Sequence, residues 1–440
     1  MRSQAYLFLG IACLAAAGLS AGSLPYLYNW FPDSQEGLSV VRIAFVAILV
    51  HIALARLAKE NWVRVQSGLI VGIPALLLIF GLKQGALVLA SSVAWAAFTL
   101  WVPWRSLKIA VACSLIVALF GLRKLGVETL GFWWIYVNWI RYLSMAIDSN
   151  ARSAKWQDFS LCLQLIVAPP FFLGPLAMEW VSLRYAREKT EFDFSLEKNR
   201  KGAFLCVWAL VLILLHHFIA PLLASAWSNE SLSQIEGHAA QHIWSGFVFF
   251  LTRFWILGSL TAFAAGAWHL AGCSFKYDCD QPLRARDSLD FWRRYKNYSY
   301  DFLLRSFFIP TVLLSSRRFG GRVSTFLGLS AVLLAVAIVH VMNHIPIPGL
   351  DFRQSYSARG ALQHGLMMGV FIGLTAGYAQ LCDGLLRAAG LVANAWAQRV
   401  AIVTQVMFTL VTTSCYFYSA YAQMWMGWSL GDYLRSITSF

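Results

Sequence analysis

His340 closes the apolar run GLSAVLLAVAIVH that begins at Gly328, and the setting suits one kind of chemistry. An imidazole surrounded by hydrocarbon loses its charged form to desolvation, so it stays neutral and can accept a proton. Such a group suits a general base. The plainer alternative is a histidine at a helix end, hydrogen-bonded to a carbonyl. His364, in ARGALQHGLMMG, opens another apolar run and could line the same space. His344 lies one helical turn after His340, which makes a metal pair thinkable, but Pro346 and Pro348 break a helix there, and no metal site is expected.

Upstream, Asp290 to Pro310 reads DFWRRYKNYSYDFLLRSFFIP. Arg293, Arg294, Lys296 and Arg305, with Arg286 just before, sit among aromatics directly beside hydrocarbon-length segments. Charge next to lipid is expensive, and cations kept there point to function. Their chemistry suits phosphate recognition. The same residues could equally be an anchoring cluster against anionic headgroups.

The elements that must position these groups are helices in a bilayer. The chain has 59% hydrophobic and only 13% charged residues, with nineteen Trp, and its apolar runs recur at about twenty residues. The expected fold class is all-α: a polytopic membrane protein, 1–440 as one membrane-embedded domain. The net charge of +14 lies in short clusters between apolar runs, as in cytoplasmic loops, so a nucleic-acid partner is not expected.

Candidate spans lie near Leu7–Gly22, Leu38–Ala55, Gly68–Leu82, Ala86–Val102, Ile109–Gly121, Phe132–Ile147, Phe159–Trp180, Gly202–Trp227, Ile243–Leu270, Phe326–Met342, Gly360–Leu381 and Ala401–Trp425. Basic clusters at Arg56–Arg64, Arg184–Lys201, Arg284–Lys296 and Arg387–Arg399 read as cytoplasmic, and two loops on one side require an even number of passes between them. The Trp-rich segment at Phe132–Ile147, carrying Arg141 and Asp148, is therefore taken as re-entrant or interfacial, leaving about eleven spans. Phe302–Leu314, interrupted by Arg305 and Pro310, is expected to dip into the protein or lie at the interface, with a cavity near Arg305.

The eight Cys are scattered, six of them within apolar runs, and are read as structural. The N-terminal stretch resembles a signal peptide but is expected to be retained as a first helix. No internal repeat is visible, which weakens a transporter reading.

Taken in order, these blocks resemble the membrane-bound O-acyltransferase family. The likeness is to its bacterial branch, which includes the D-alanyl transfer protein of teichoic acids and the alginate O-acetyltransferase. Asp290–Pro310 looks like the family's FWRRWH…FRDYxYIPL block, Gly328–His340 like its apolar run ending in LWH, and RGALQHG (Arg359–Gly365) like its WGLLHG element. LIVAPPFFLGPL, ending at Leu176, and Phe192–Val211 resemble its FPQLVAGPI and FD…NFRRGL…LWGL segments, giving a family-like core of about 130–381. Tyr295 and Lys296 stand where the family has Trp-His, and Ser306 where it has Asp.

The resemblance implies helices around a central tunnel, with His340 as catalytic base and His364 as second histidine. It implies an acyl group, acetyl or D-alanyl for example, carried from cytoplasmic acyl-CoA or an acyl-carrier protein thioester to a hydroxyl of an exported polysaccharide, polymer or lipid. Arg293, Arg294, Lys296 and Arg305 would bind the donor, and no cofactor is bound. The bacterial inner membrane is the implied location, and an extracytoplasmic accessory protein an implied partner. The contrasting readings are a transporter or flippase without acyl transfer, and a catalytically idle scaffold.

Overall fold

The computed structural model describes every residue except 1, 24–33, 125–128, 130, 132–133, 136–137, 149–155, 174–180, 182, 190–191, 229–237, 344–357 and 426–440. The described residues are 89% helical and contain no strand. In chain order the helices are α1 (Arg2–Leu19), α2 (Ser34–Leu57), α3 (Asn61–Trp101), α4 (Arg105–Lys124), α5 (Trp139–Asp148), α6 (Trp156–Val167) and α7 (Leu183–Lys189). There follow α8 (Leu196–Ser228), α9 (His238–Leu270), α10 (Ser288–Tyr295), α11 (Asn297–Leu303), α12 (Ile309–Asn343), α13 (Ala358–Ala388) and α14 (Ala395–Trp425).

Eight described helices are long and apolar enough to cross a bilayer: α1, α2, α3, α8, α9, the continuous α11–α12, α13 and α14. The chain is an all-α, multi-pass membrane protein. Many large apolar side chains lie on the outside, Leu78 and Phe326 among them, as a hydrocarbon surround demands.

Two of the eight double back. In α3 the backbone leaves helical geometry at Gly81 alone (φ 71, ψ 165), and in α12 at Gly320 alone (φ 73, ψ 170). The packing shows that both are reversals. A methyl placed at Gly85 would lie 3.1 Å from Leu77 Cα, and one at Gly328 would lie 2.7 Å from Val312 Cγ2 and 3.0 Å from Phe308 Cδ2. In a straight helix, residues eight or sixteen apart are separated by about 12 or 24 Å. Counted by limbs, the eight helices supply ten passes of crossing length. Only glycine adopts this region without strain, because any Cβ would crowd the backbone.

Compared with the expected spans, the runs at Gly68–Leu82 and Ala86–Val102 are the two limbs of α3. Of Phe159–Trp180 the described part is shorter than a crossing helix: α6 has 12 residues, about 18 Å, and ends in a 3-10 turn at Pro169–Leu173, while 174–180 lie outside the described residues. Pro169 and Pro170 lack the N–H groups a longer helix needs. The run at Ile109–Gly121 forms α4, which has 20 residues but is not among the eight crossing helices. Phe302–Leu314 is not a short isolated piece, since it continues from α11 to the reversal at Gly320.

Of the Trp-rich segment, expected to be re-entrant or interfacial, the described residues form a helix of only 10 residues, α5. Trp134 and Trp139 are buried inside the protein. Arg141 is buried with them, donating to Asn138 Oδ1 at 2.6 Å and stacked 4.6 Å over the Phe171 ring. A guanidinium at this depth needs protein around it, and the aromatics supply that.

The chain forms two compact units. One comprises Met1–Ile213, Ile256–Asp278 and Ile347–Asp351, and the other Leu214–Trp255, Cys279–Pro346 and Phe352–Phe440. In the first, α2 and α3 pack together, with α6 against α3. Arg56, the penultimate residue of α2, donates to the Leu270 carbonyl at 2.6 Å and to Asn199 Oδ1, and lies 4.8 Å over the Phe194 ring. In the second unit α13 and α14 run antiparallel, fixed by the Tyr378–Phe408 stack at 4.3 Å and the Phe371–Tyr416 edge contact at 6.2 Å.

Candidate functional site

The basic block begins with a well-capped short helix. Asp287 at the N-cap of α10 accepts from the Asp290 N–H at 2.7 Å, and Asp290 reaches back to the Arg286 N–H at 3.4 Å. An acidic first turn and Arg293 and Arg294 in the last turn both suit the helix dipole. The helix is held from outside as well. Ser288 N–H donates to Thr375 Oγ1 at 3.1 Å, Thr409 Oγ1 donates to the Arg286 carbonyl at 3.0 Å, and Asp280 N–H donates to the Arg294 carbonyl at 2.7 Å. Its buried face, Phe291 and Tyr295, stacks at 5.4 Å within a cluster that includes Phe250 and Phe417.

Asp290 is the centre of this block, and it was not among the residues singled out from sequence. It accepts from Arg294 Nε at 3.0 Å and from Arg293 Nη2. Burial pushes its carboxyl up, but the hydrogen bonds from Arg294 and Arg293 outweigh that and hold it below the ordinary carboxylate value. The signal was present in the spacing, because i,i+3 and i,i+4 neighbours face each other on a helix.

The four predicted donor-binding cations thus have distinct surroundings. Arg293 is exposed and Arg294 half-buried, both tied to Asp290. Lys296 is half-buried at the junction of α10 and α11, where its backbone leaves helical geometry (φ −143, ψ 66). Arg305 pairs with Asp301 at 3.2 Å. It falls in a π-helical turn, Leu304–Phe308, in which Ile309 N–H donates back to the Leu304 carbonyl. Pro310 explains the widened turn: it has no N–H for the Ser306 carbonyl, and its ring crowds the preceding turn.

His340 lies in the return limb of α12 and His364 near the start of α13, with their side chains outside the described residues, as is His344 altogether. Their backbone positions follow from packing. Contacts of Gly328 with Val312 and Phe308 set the hairpin register so that the backbone of His340 falls roughly level with Tyr300, at the foot of the outgoing limb. A methyl at Gly369 would lie 2.7 Å from Leu333 Cδ1, so the return limb packs on α13 there. His340 and His364 both lie on the side of that contact nearer the 344–357 connection. The hairpin, the basic block and the backbone of both histidines all belong to the second unit.

The first unit holds a separate concentration of buried polar side chains. His51 and Trp268 meet edge to face at 5.3 Å, and Trp268 stacks on Phe275 at 4.7 Å. Neither ring nitrogen of His51 or of His269, nor the Trp268 indole nitrogen, makes a well-formed hydrogen bond, although the Ser67 and Phe275 backbones lie beside the two imidazoles. Among the described residues no group of three or more His, Cys, Asp or Glu could hold a metal ion.

Neither family models nor curated proteins compared with the chain match it. The acyltransferase-like motifs therefore stand on their own residues.

Proposed function

We propose that the protein is a membrane-bound O-acyltransferase of a bacterial inner membrane. It moves an acyl group, such as acetyl or D-alanyl, from a cytoplasmic thioester to a hydroxyl of an exported polysaccharide, polymer or lipid. The observation that carries this reading is the basic block itself: a capped, aromatic-seated helix ties Arg293 and Arg294 to Asp290 directly before the α11–α12 hairpin, whose return limb carries His340. A base on a membrane hairpin and phosphate-attracting cations just ahead of it in the chain are the groups thioester transfer at a bilayer needs.

In this mechanism neutral His340 takes the proton of the acceptor hydroxyl as its oxygen attacks the thioester carbonyl. A tetrahedral oxyanion forms, stabilised by a donor from His364 or Arg305, and collapses to expel the thiolate, which is reprotonated. The donor is acyl-CoA or an acyl-carrier protein, its phosphates at those cations.

The test supplies membranes with labelled acetyl-CoA or a labelled acyl-carrier protein and follows label into polymer and lipid fractions. Transfer by wild type and its loss by at least a hundredfold in a folded, inserted His340→Ala variant is the expected outcome. Equal labelling by both, or none with either donor, overturns the proposal.

A further inference from the structure

The tip of the α11–α12 hairpin concentrates charge in a way that acyl transfer does not use. Arg317 and Arg318 precede the reversal at Gly320 and Arg322 follows it, all three exposed and without an ion pair among the described residues. No Asp or Glu occurs anywhere in 302–350, so the chain offers these cations no nearby carboxylate in sequence. The one-residue reversal leaves no loop to carry them away, and all three stay within about a turn of the apex.

Just behind the cations the hairpin is apolar and exposed, with Leu314 at 78% and Phe326 at 67%, and Phe319 at the tip itself. Hydrocarbon-seeking side chains within two turns of unpaired guanidinium groups fit one environment, the boundary where acyl chains meet phosphate. Arginine stems lie along the apolar layer while their heads reach the phosphates. An acidic protein surface would satisfy the charge but leave the apolar shoulder in water.

We infer that Arg317, Arg318 and Arg322 form a binding surface for the phosphodiester headgroups of anionic lipid, seated by the apolar flanks of the hairpin. The inference requires only a membrane hairpin and is independent of acyl transfer.

The test delipidates the purified full-length protein and titrates it with phosphatidylglycerol and phosphatidylcholine, counting bound lipids by native mass spectrometry. Wild type is expected to prefer phosphatidylglycerol. Arg317→Gln/Arg318→Gln/Arg322→Gln should lower that affinity by roughly a hundredfold, at about 1 kcal/mol per cation near the surface. The corresponding triple Lys variant should retain most of the preference, as should Arg387→Gln, placed in the last turn of α13. An unchanged preference in the Gln variant, or displacement of the lipid by millimolar inorganic phosphate, overturns the inference. Should the Gln variant fail to insert, wild type decides the matter. Raising salt from 0.1 to 1 M shortens screening from about 10 to about 3 Å and must erode the preference, and a salt-insensitive preference overturns the inference.

Discussion

At the residue scale Asp290 governs the basic block, and its protonation makes a measurable difference. A carboxyl held below its ordinary value contributes stability that is present above that value, about 3.9, and is lost as pH falls through the folded-state value. Asp290→Asn is therefore expected to lower stability by about 1 kcal/mol at pH 7, the upper end for an ion pair whose cations reach solvent. Thermal melts in detergent should show the gap to wild type closing below about pH 4. A gap of the same size at pH 7 and pH 3.5 would assign the loss to something other than the carboxylate. The block itself was legible in the sequence as cations among aromatics. Asp290's role was legible only to someone counting i,i+3 and i,i+4 pairs. The burial of Arg141 was not legible, because a Trp-rich stretch looks the same at a headgroup layer as around a buried guanidinium. Its partner Phe171 is thirty residues away in sequence.

At the element scale the two glycine reversals set the span count. Apolar length alone identified both limbs of α3 as separate runs, because each fills a bilayer thickness. It did not reveal that the limb before Gly320 exists, because Arg305 and Pro310 interrupt it and the π turn that absorbs them has no sequence period. Gly81→Ala and Gly320→Ala are each expected to cost about 1–3 kcal/mol through backbone strain, since both glycines have open space around them and no clash competes with the strain. Gly321→Ala is the control: it is helical, equally uncrowded and has no positive φ, so it should be neutral or slightly stabilising. Melting temperatures of the three variants separate these outcomes, and a Gly320→Ala protein as stable as Gly321→Ala would remove the reversal.

At the scale of the whole molecule, charge and the helix lengths of the described residues agree on a parity question within the first unit. Arg64 and Arg184 read as lying on one side, and five candidate runs between them could not all cross. The structure leaves the two limbs of α3 as the only crossing-length apolar passes among the described residues there, an even number. Single cysteines at Arg64 and Arg105, in a cysteine-free background, are expected to react with an impermeant maleimide from one face. A cysteine at Lys83, beside the Gly81 reversal, should react from the other. Labelling of all three from one face would refute this topology. The reversal at Gly81 also constrains how the protein is made. With no loop between the limbs, neither helix can settle against its partner until both lie in the bilayer. The pair is therefore expected to become stable as one helical hairpin rather than as two separate spans.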